Sequence, residues 1–142
     1  MSKKSVVAKI IIASFVVSAM LYFYSDYILG ILTARPDFQL SASPTLIRLG
    51  YMGSSNATVI VVKSINGFDS NVKLNVKPVF GVLGVRFTLD PSEFHLKANE
   101  EVACMLKIEV TSNMMPGQYF IDISGISSNL TRTIRIAVEI FY

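Results

Sequence analysis

The apolar positions of this chain change texture once. From Ile10 to Tyr24 they run together without a charged side chain, and from about Phe38 onward they alternate with polar positions in short runs. A bilayer core takes about 20 mostly apolar residues as helix. Val6 to Tyr24, 19 residues, therefore reads as a transmembrane α-helix. Tyr27 to Leu32 would carry it another turn or two, with Asp26 at the outer edge. Tyr22, Phe23, Tyr24 and Tyr27 gather at that same end, as interfacial aromatics do.

The alternating part predicts strands. Val72, Leu74 and Val76 are separated by Lys73 and Asn75. Cys104, Leu106, Ile108 and Val110 alternate with Met105, Lys107 and Glu109, and Tyr119, Ile121 and Ile123 with Phe120 and Asp122. Ile134, Ile136, Val138 and Ile140 alternate with Arg135, Ala137, Glu139 and Phe141. Each run has one face to bury and one to show, as antiparallel strands of a two-sheet sandwich do. Asn66-Gly67 and Pro116-Gly117 supply turns, Asp90-Pro91 closes a strand, and Glu100-Glu101 reads as a solvated hairpin end. Pro44 interrupts Phe38 to Leu49, which reads as one kinked edge strand. The fold class is all-β: an immunoglobulin-like antiparallel sandwich of seven to nine strands, preceded by one N-terminal transmembrane α-helix. Residues 1–32 form a basic tip and the helix, 33–37 a linker, and 38–142 the sandwich domain.

Charge sharpens this division. From Pro36 to Tyr142 there are five Lys, four Arg, four Asp and five Glu, so that part is neutral. Asp26 and Arg35 cancel, and the formal +3 of the chain rests on Lys3, Lys4 and Lys9. Cations before the apolar run place the N-terminus in the cytoplasm and the C-terminal domain outside the cell membrane. Three readings of the segment compete. One is a permanent single-pass anchor. The second is a cleaved secretory signal, for which no clean small-x-small cleavage site follows. In the third, a pilin-type leader is cut between Ser5 and Val6 and the helix packs in a filament core; Lys4-Ser5 before Val6-Val7 looks like an archaeal pilin processing site. Ser14 and Ser18, four apart, would let two helices approach.

Four segments carry a resemblance: Phe38-Gln39-Leu40-Ser41-Ala42-Ser43-Pro44, Ser64-Ile65-Asn66-Gly67-Phe68, Gly84-Val85-Arg86-Phe87 and Pro116-Gly117-Gln118-Tyr119. Together they resemble the immunoglobulin-like repeats of archaeal and bacterial surface proteins, akin to modules attached to secreted glycosidases. The resemblance covers nearly all of Phe38 to Tyr142 and implies the fold. Such modules serve as spacers, adhesins and filament subunits alike. Where the family usually shows Thr on the outer side of its second strand, this chain has Val59 and Val61, provided Ile60 and Val62 point inward. With Met105 and Phe120 they would form an exposed apolar patch for a protein partner or self-association. Tyr119, after Pro-Gly, stands where a tyrosine corner sits in such folds, its hydroxyl bonding a loop carbonyl.

The candidate chemistry is sparse. His95 is the one histidine and Cys104 the one cysteine, so no internal disulfide is expected. Cys104 falls on the inward side of its run and His95 on a surface strand. No metal-ligand spacing, phosphate loop or credible pair of catalytic acids occurs, and no catalytic residue, cofactor or small-molecule substrate is expected. A neutral domain disfavours nucleic acid. Trp is absent, which argues against a sugar platform. Asn56-Ala57-Thr58 and Asn129-Leu130-Thr131 are glycosylation sequons at strand starts, so Asn56 and Asn129 are candidate modification sites. The leading expectation is a non-enzymatic, membrane-anchored, extracytoplasmic protein that works by contact at the cell surface. Stator subunits of the archaeal swimming filament are similar in size and layout. The alternative is a type IV pilin-like filament subunit.

Overall fold

The computed structural model describes residues 3–32, 34–79 and 84–141; the side chains of 3–13, 31 and 32 lie outside the described set. The chain divides into two compact units, Met1–Arg35 and Pro36–Tyr142. The first contains one helix, α1 (Lys3–Leu32), so the backbone stays helical through Tyr27–Leu32. Ser18 Oγ donates to the Ser14 carbonyl at 2.9 Å, and Ser25 Oγ to the Tyr22 carbonyl at 2.8 Å. Both hydroxyls are thus satisfied within the helix by back-bonding to the preceding turn. Among the described residues no helix is long and apolar enough to cross a membrane. The span expected over Val6–Tyr24 falls partly on residues 6–13, whose side chains lie outside that set.

The second unit is a two-sheet sandwich with nine strands among the described residues. They are β1 (Asp37–Ser43), β2 (Leu46–Leu49), β3 (Ser55–Ile65), β4 (Ser70–Pro78), β5 (Val85–Asp90), β6 (Glu93–Leu96), β7 (Glu101–Val110), β8 (Gly117–Ser127) and β9 (Leu130–Ile140). Sheet A has the order β1-β3-β7-β5 and sheet B the order β2-β9-β8-β4-β6. Every pairing is antiparallel except β2 with β9, which is parallel. The alternation read from the sequence sets the faces. Ile60, Val62, Cys104, Leu106 and Ile108 of sheet A meet Val72, Leu74, Ile121, Ile123, Ile136 and Val138 of sheet B in one core.

Phe38–Leu49, expected as one kinked edge strand, is two strands in different sheets. β1 edges sheet A, the chain crosses at a cis Ser43–Pro44 bond, and β2 edges sheet B. Proline cannot donate to a ladder, so pairing has to break there. The Thr58 hydroxyl, buried in β3, donates to the Pro44 carbonyl at 2.8 Å and anchors the crossing. The same device recurs between β5 and β6, at a cis Asp90–Pro91 bond. Asn66-Gly67 forms the expected turn, with φ of 53° and 73°. It joins β3 to β4, hence sheet A to sheet B. Lys97 to Glu100 likewise links β6 in sheet B to β7 in sheet A, so Glu100-Glu101 does not end a hairpin. There the Glu100 carboxylate accepts the Lys97 N–H at 2.9 Å. Buried Ser64 ties these two turns together: its hydroxyl donates to the Phe68 carbonyl at 2.8 Å and accepts the Asn99 N–H at 3.1 Å.

The last strand pairs within its own domain, between β8 and β2. At the Asp37 end of the core, the Phe38 ring packs against Phe68 with centroids 5.2 Å apart and lies over Gly125 of β8. A Cβ at Gly125 would stand 2.8 Å from Phe38 Cε2. Removing a strand glycine ordinarily stabilises by about 0.5–1 kcal/mol. Here overpacking against a buried ring wins, and Gly125→Ala should destabilise by about 1–2 kcal/mol. Urea unfolding of the two chains measures it. Combining Gly125→Ala with Phe38→Leu should cost less than the sum of the single changes.

Candidate interaction surface

The outer faces of the two sheets differ in kind. On sheet B, several cross-strand neighbours are matched polar pairs, with Phe120 and Ile126 exposed among them. Arg135 on β9 forks onto Asp122 on β8, with Nε–Oδ1 2.7 Å and Nη2–Oδ2 3.0 Å. Arg48 Nε meets Glu139 Oε2 at 2.7 Å across the parallel β2–β9 pair, and the Ser124 and Thr133 hydroxyls bond at 2.9 Å. His95 on β6 is held by Asp69 Oδ1 at 2.7 Å and Asn71 Oδ1 at 2.8 Å, an exposed arrangement that orients its ring. At the sandwich margin Arg132 forks onto Asp37, with Nε–Oδ1 3.0 Å. Among the described residues no group of three or more His, Cys, Asp or Glu is placed to hold a metal ion.

Sheet A shows the opposite surface at its centre. Ile60 and Val62 are fully buried, so Val59 and Val61 face outward. Val59 lies directly opposite Met105, and Val61 opposite Ala103. Val59 is 41% and Met105 56% exposed. A shallow groove of about 450 Å³ runs over these residues toward Thr88 and Asp90 on β5. Lys63 and Glu101, 3.0 Å apart, border the patch at one end. Phe120 does not belong to it. That ring sits on β8, on the outer face of sheet B opposite Ala137. Alternation fixes which side of its own sheet a residue faces, but both sheets have an outside, and parity does not distinguish them. Cys104 lies beneath the patch on the inner side of β7. Burial, and secondarily the Asp90 charge, push its thiol up to about 11, so it stays protonated at neutral pH.

A second apolar exposure escapes sequence alternation. Strand directions bring residues 50–54, 111–116 and Phe141 to the end of the sandwich opposite Asp37. The Gly53 N–H bonds the Val110 carbonyl at 2.8 Å, and the Phe141 N–H bonds the Leu49 carbonyl at 3.0 Å. Tyr51 is 73% and Met115 80% exposed there, beside Met52 and Phe141. Met114 plugs the core, and the Tyr119 hydroxyl donates to the Met115 carbonyl at 2.9 Å, which is the expected tyrosine corner. The signal in the sequence is large apolar residues inside turn segments, Tyr51-Met52 and Met114-Met115, where no strand face needs them.

The sequons occupy different settings. Asn129 is exposed in the two-residue turn between β8 and β9. Asn56 lies inside β3; its Nδ2 donates to the Arg48 carbonyl at 3.2 Å and its Oδ1 accepts the Ala57 N–H at 2.8 Å. Ser5 and Val6 fall within α1, with side chains outside the described residues.

No family model and no curated relative matches this chain. Solved structures do. A family 123 glycoside hydrolase from Clostridium perfringens is similar over 74% of this chain, at 13% identity and a TM-score of 0.58, and the match spans 27% of that enzyme chain. A FixG-related protein from Vibrio parahaemolyticus is similar over 78% of this chain and all of its own, at 8% identity and a TM-score of 0.56. The E. coli chaperone DraB matches 72% of this chain and 54% of its own length, at 16% identity and a TM-score of 0.49. At these identities the likeness is one of fold, and the fold is an immunoglobulin-like sandwich.

Two predictions follow from the polar and apolar halves of this surface. The Arg135 guanidinium holds the Asp122 carboxyl below its ordinary value of 3.8. A carboxylate whose folded value is depressed stabilises fully above its unfolded value, and loses that contribution as pH falls through the folded one. Asp122→Asn should therefore flatten the loss of melting temperature between about pH 5 and pH 2, read by circular dichroism. Tyr119→Phe removes the corner hydrogen bond and should cost about 1 kcal/mol, with faster amide exchange confined to residues 111–116.

Proposed function

We propose that this is a non-enzymatic, single-pass protein whose N-terminal helix is held in the cell membrane and whose sandwich works outside by contact with another surface protein. The observation that carries the reading is the exposed apolar surface of the sandwich: Val59 and Met105, with half-buried Val61 beside them, on sheet A, and Tyr51, Met52 and Met115 at the loop end. Isolated surface apolar residues are ordinary, but a contiguous group marks a contact site. The loop end lies at the opposite end of the sandwich from Asp37, the first residue of β1. Methionine and tyrosine suit such a role, one by adaptability and the other by its amphipathic ring.

The anchor is supported by the sequence. Lys3, Lys4 and Lys9 precede Ile10–Tyr24, which has no charged side chain, and the neutral domain follows. Archaeal stator subunits, with their similar size and layout, are the named possibility within this class. A glycan on Asn129, at an exposed turn remote from the loop end, would leave that end free. The pilin-like alternative rests on Lys4-Ser5 before Val6-Val7. In that case the helix would be the assembly element and the sandwich the outer coat.

Carbonate extraction of native membranes, followed by intact mass and N-terminal sequencing, tests the reading. The chain should stay with the membrane pellet and begin at Met1 or Ser2. Release by carbonate would overturn the anchor. A start at Val6 would replace it with the filament subunit. A mass above 15.7 kDa would assign glycans to Asn56 or Asn129.

A further inference from the structure

We propose that a second copy of this chain adds to sheet A through β5, the two β5 strands pairing antiparallel about a twofold axis at Thr88. The inference concerns the sandwich and does not depend on how the N-terminus is held. β5 is an edge strand, paired on one side with β7 in unbroken register and on the other with nothing described. Edges are usually blunted by charged side chains, lysine above all, by proline or by a bulge. β5, Val85-Arg86-Phe87-Thr88-Leu89-Asp90, has no lysine, no bulge and no proline before Pro91, and its two charges, Arg86 and Asp90, are of opposite sign.

The backbone decides which groups are free. The Thr111 N–H bonds the Gly84 carbonyl at 2.8 Å, so Gly84 and Thr111 form a hydrogen-bonded pair of the β5–β7 ladder. Such pairs alternate along an antiparallel ladder. Arg86, Thr88 and Asp90 therefore turn their backbone groups toward β7. Val85, Phe87 and Leu89 turn theirs to the open edge, and their side chains, on the core side, are half-buried.

The charges select the partner. In the sandwich, Arg48, Arg132 and Arg135 each have an in-chain carboxylate, and Asp37, Asp69 and Asp122 each have an in-chain cation or histidine. Among the described residues neither Arg86, which stands across the ladder from Glu109, nor Asp90, which stands across from Met105, forms such an ion pair. They share the outer face of β5 but stand about 13 Å apart along the strand, too far to meet each other. Self-pairing centred on Thr88 resolves both. Phe87 and Leu89 of one chain exchange backbone hydrogen bonds with Leu89 and Phe87 of the other. Arg86 then falls opposite Asp90 twice, in the non-bonded pairs where side chains come closest. Registers shifted by one pair either way set Thr88 against Arg86 or against Asp90 and leave both charges of each chain unmatched. The resulting eight-stranded sheet would carry the Val59–Met105 grooves of both copies on one face.

A six-residue edge contact is small, so cross-linking of the full chain in mild detergent is the suitable readout. Thr88→Cys on the axis brings two Cα atoms to about 4.5 Å, within disulfide reach. The parent, whose one cysteine is buried, is the blank. Thr88→Cys should oxidise to a covalent dimer. Arg86→Cys or Asp90→Cys alone should give at least about ten-fold less, and the two mixed should link to each other. Adding Arg86→Asp to Thr88→Cys should lower the yield about ten-fold by opposing like charges, and Arg86→Asp with Asp90→Arg should restore it. Unchanged circular dichroism confirms folding of each variant. If Thr88→Cys gives no more dimer than Arg86→Cys, or the charge exchange fails to restore the yield, the pairing is wrong.

Discussion

The sandwich depends on the chain leaving one sheet for the other in mid-segment. This happens at Pro44 and again at Pro91. Each crossing lets one stretch of chain edge both sheets, which closes the core at its sides without a long connection. The first crossing is pinned by the Thr58 hydroxyl on the Pro44 carbonyl. It delivers β2 alongside β9, so the last strand is interior to sheet B and its backbone is paired on both sides. The second crossing ends β5 at Asp90. It commits the chain to sheet B, and among the described residues β5 has β7 as its one neighbour in sheet A.

The same architecture separates two kinds of surface. Sheet B faces outward with cross-strand ion pairs and hydroxyl pairs at matched register. Such exposed pairs add little stability each. They share that face with two exposed apolar side chains, Phe120 beside Ala137 and Ile126. Sheet A faces outward with valines and a methionine across its two inner strands. The difference follows from partner strands, since a residue's neighbours across a ladder are set by register and strand order. Val59 meets Met105 only because β3 and β7 are adjacent. Asp122 meets Arg135 only because β8 and β9 form a hairpin.

The loop end shows how a core contact can shape a surface. Met114 is buried, and the next residue is held by the Tyr119 hydroxyl, so Met115 is turned out on a fixed backbone. Tyr51 and Met52 are positioned by the Ser54 N–H, which donates to the Tyr51 carbonyl, and by hydrogen bonds of Gly53 and Ser54 with Val110 at the end of β7. An apolar surface on tied loops loses less freedom on contact than one on a loose segment.

Much of this was legible in the residue order. Alternation with period two assigned the inward sides of the strands around Val72, Cys104, Ile121 and Ile136, because a strand half-exposed to water must bury every second residue. It also turned Val59 and Val61 outward and Cys104 inward. Asn-Gly and X-Pro marked where pairing stops, since those residues carry their backbone preferences with them. Pairing between sheets was not legible. Sequence parity treated Phe120 as an equal of Met105 and read Pro44 as a kink, because a strand's side is a local property and its sheet is not. Only the tertiary structure decided that β1 and β2 part, that β9 is interior, and that β5 ends sheet A among the described strands. Those outcomes are set by contacts among residues far apart in the chain, and the local preferences of each segment are compatible with several such arrangements.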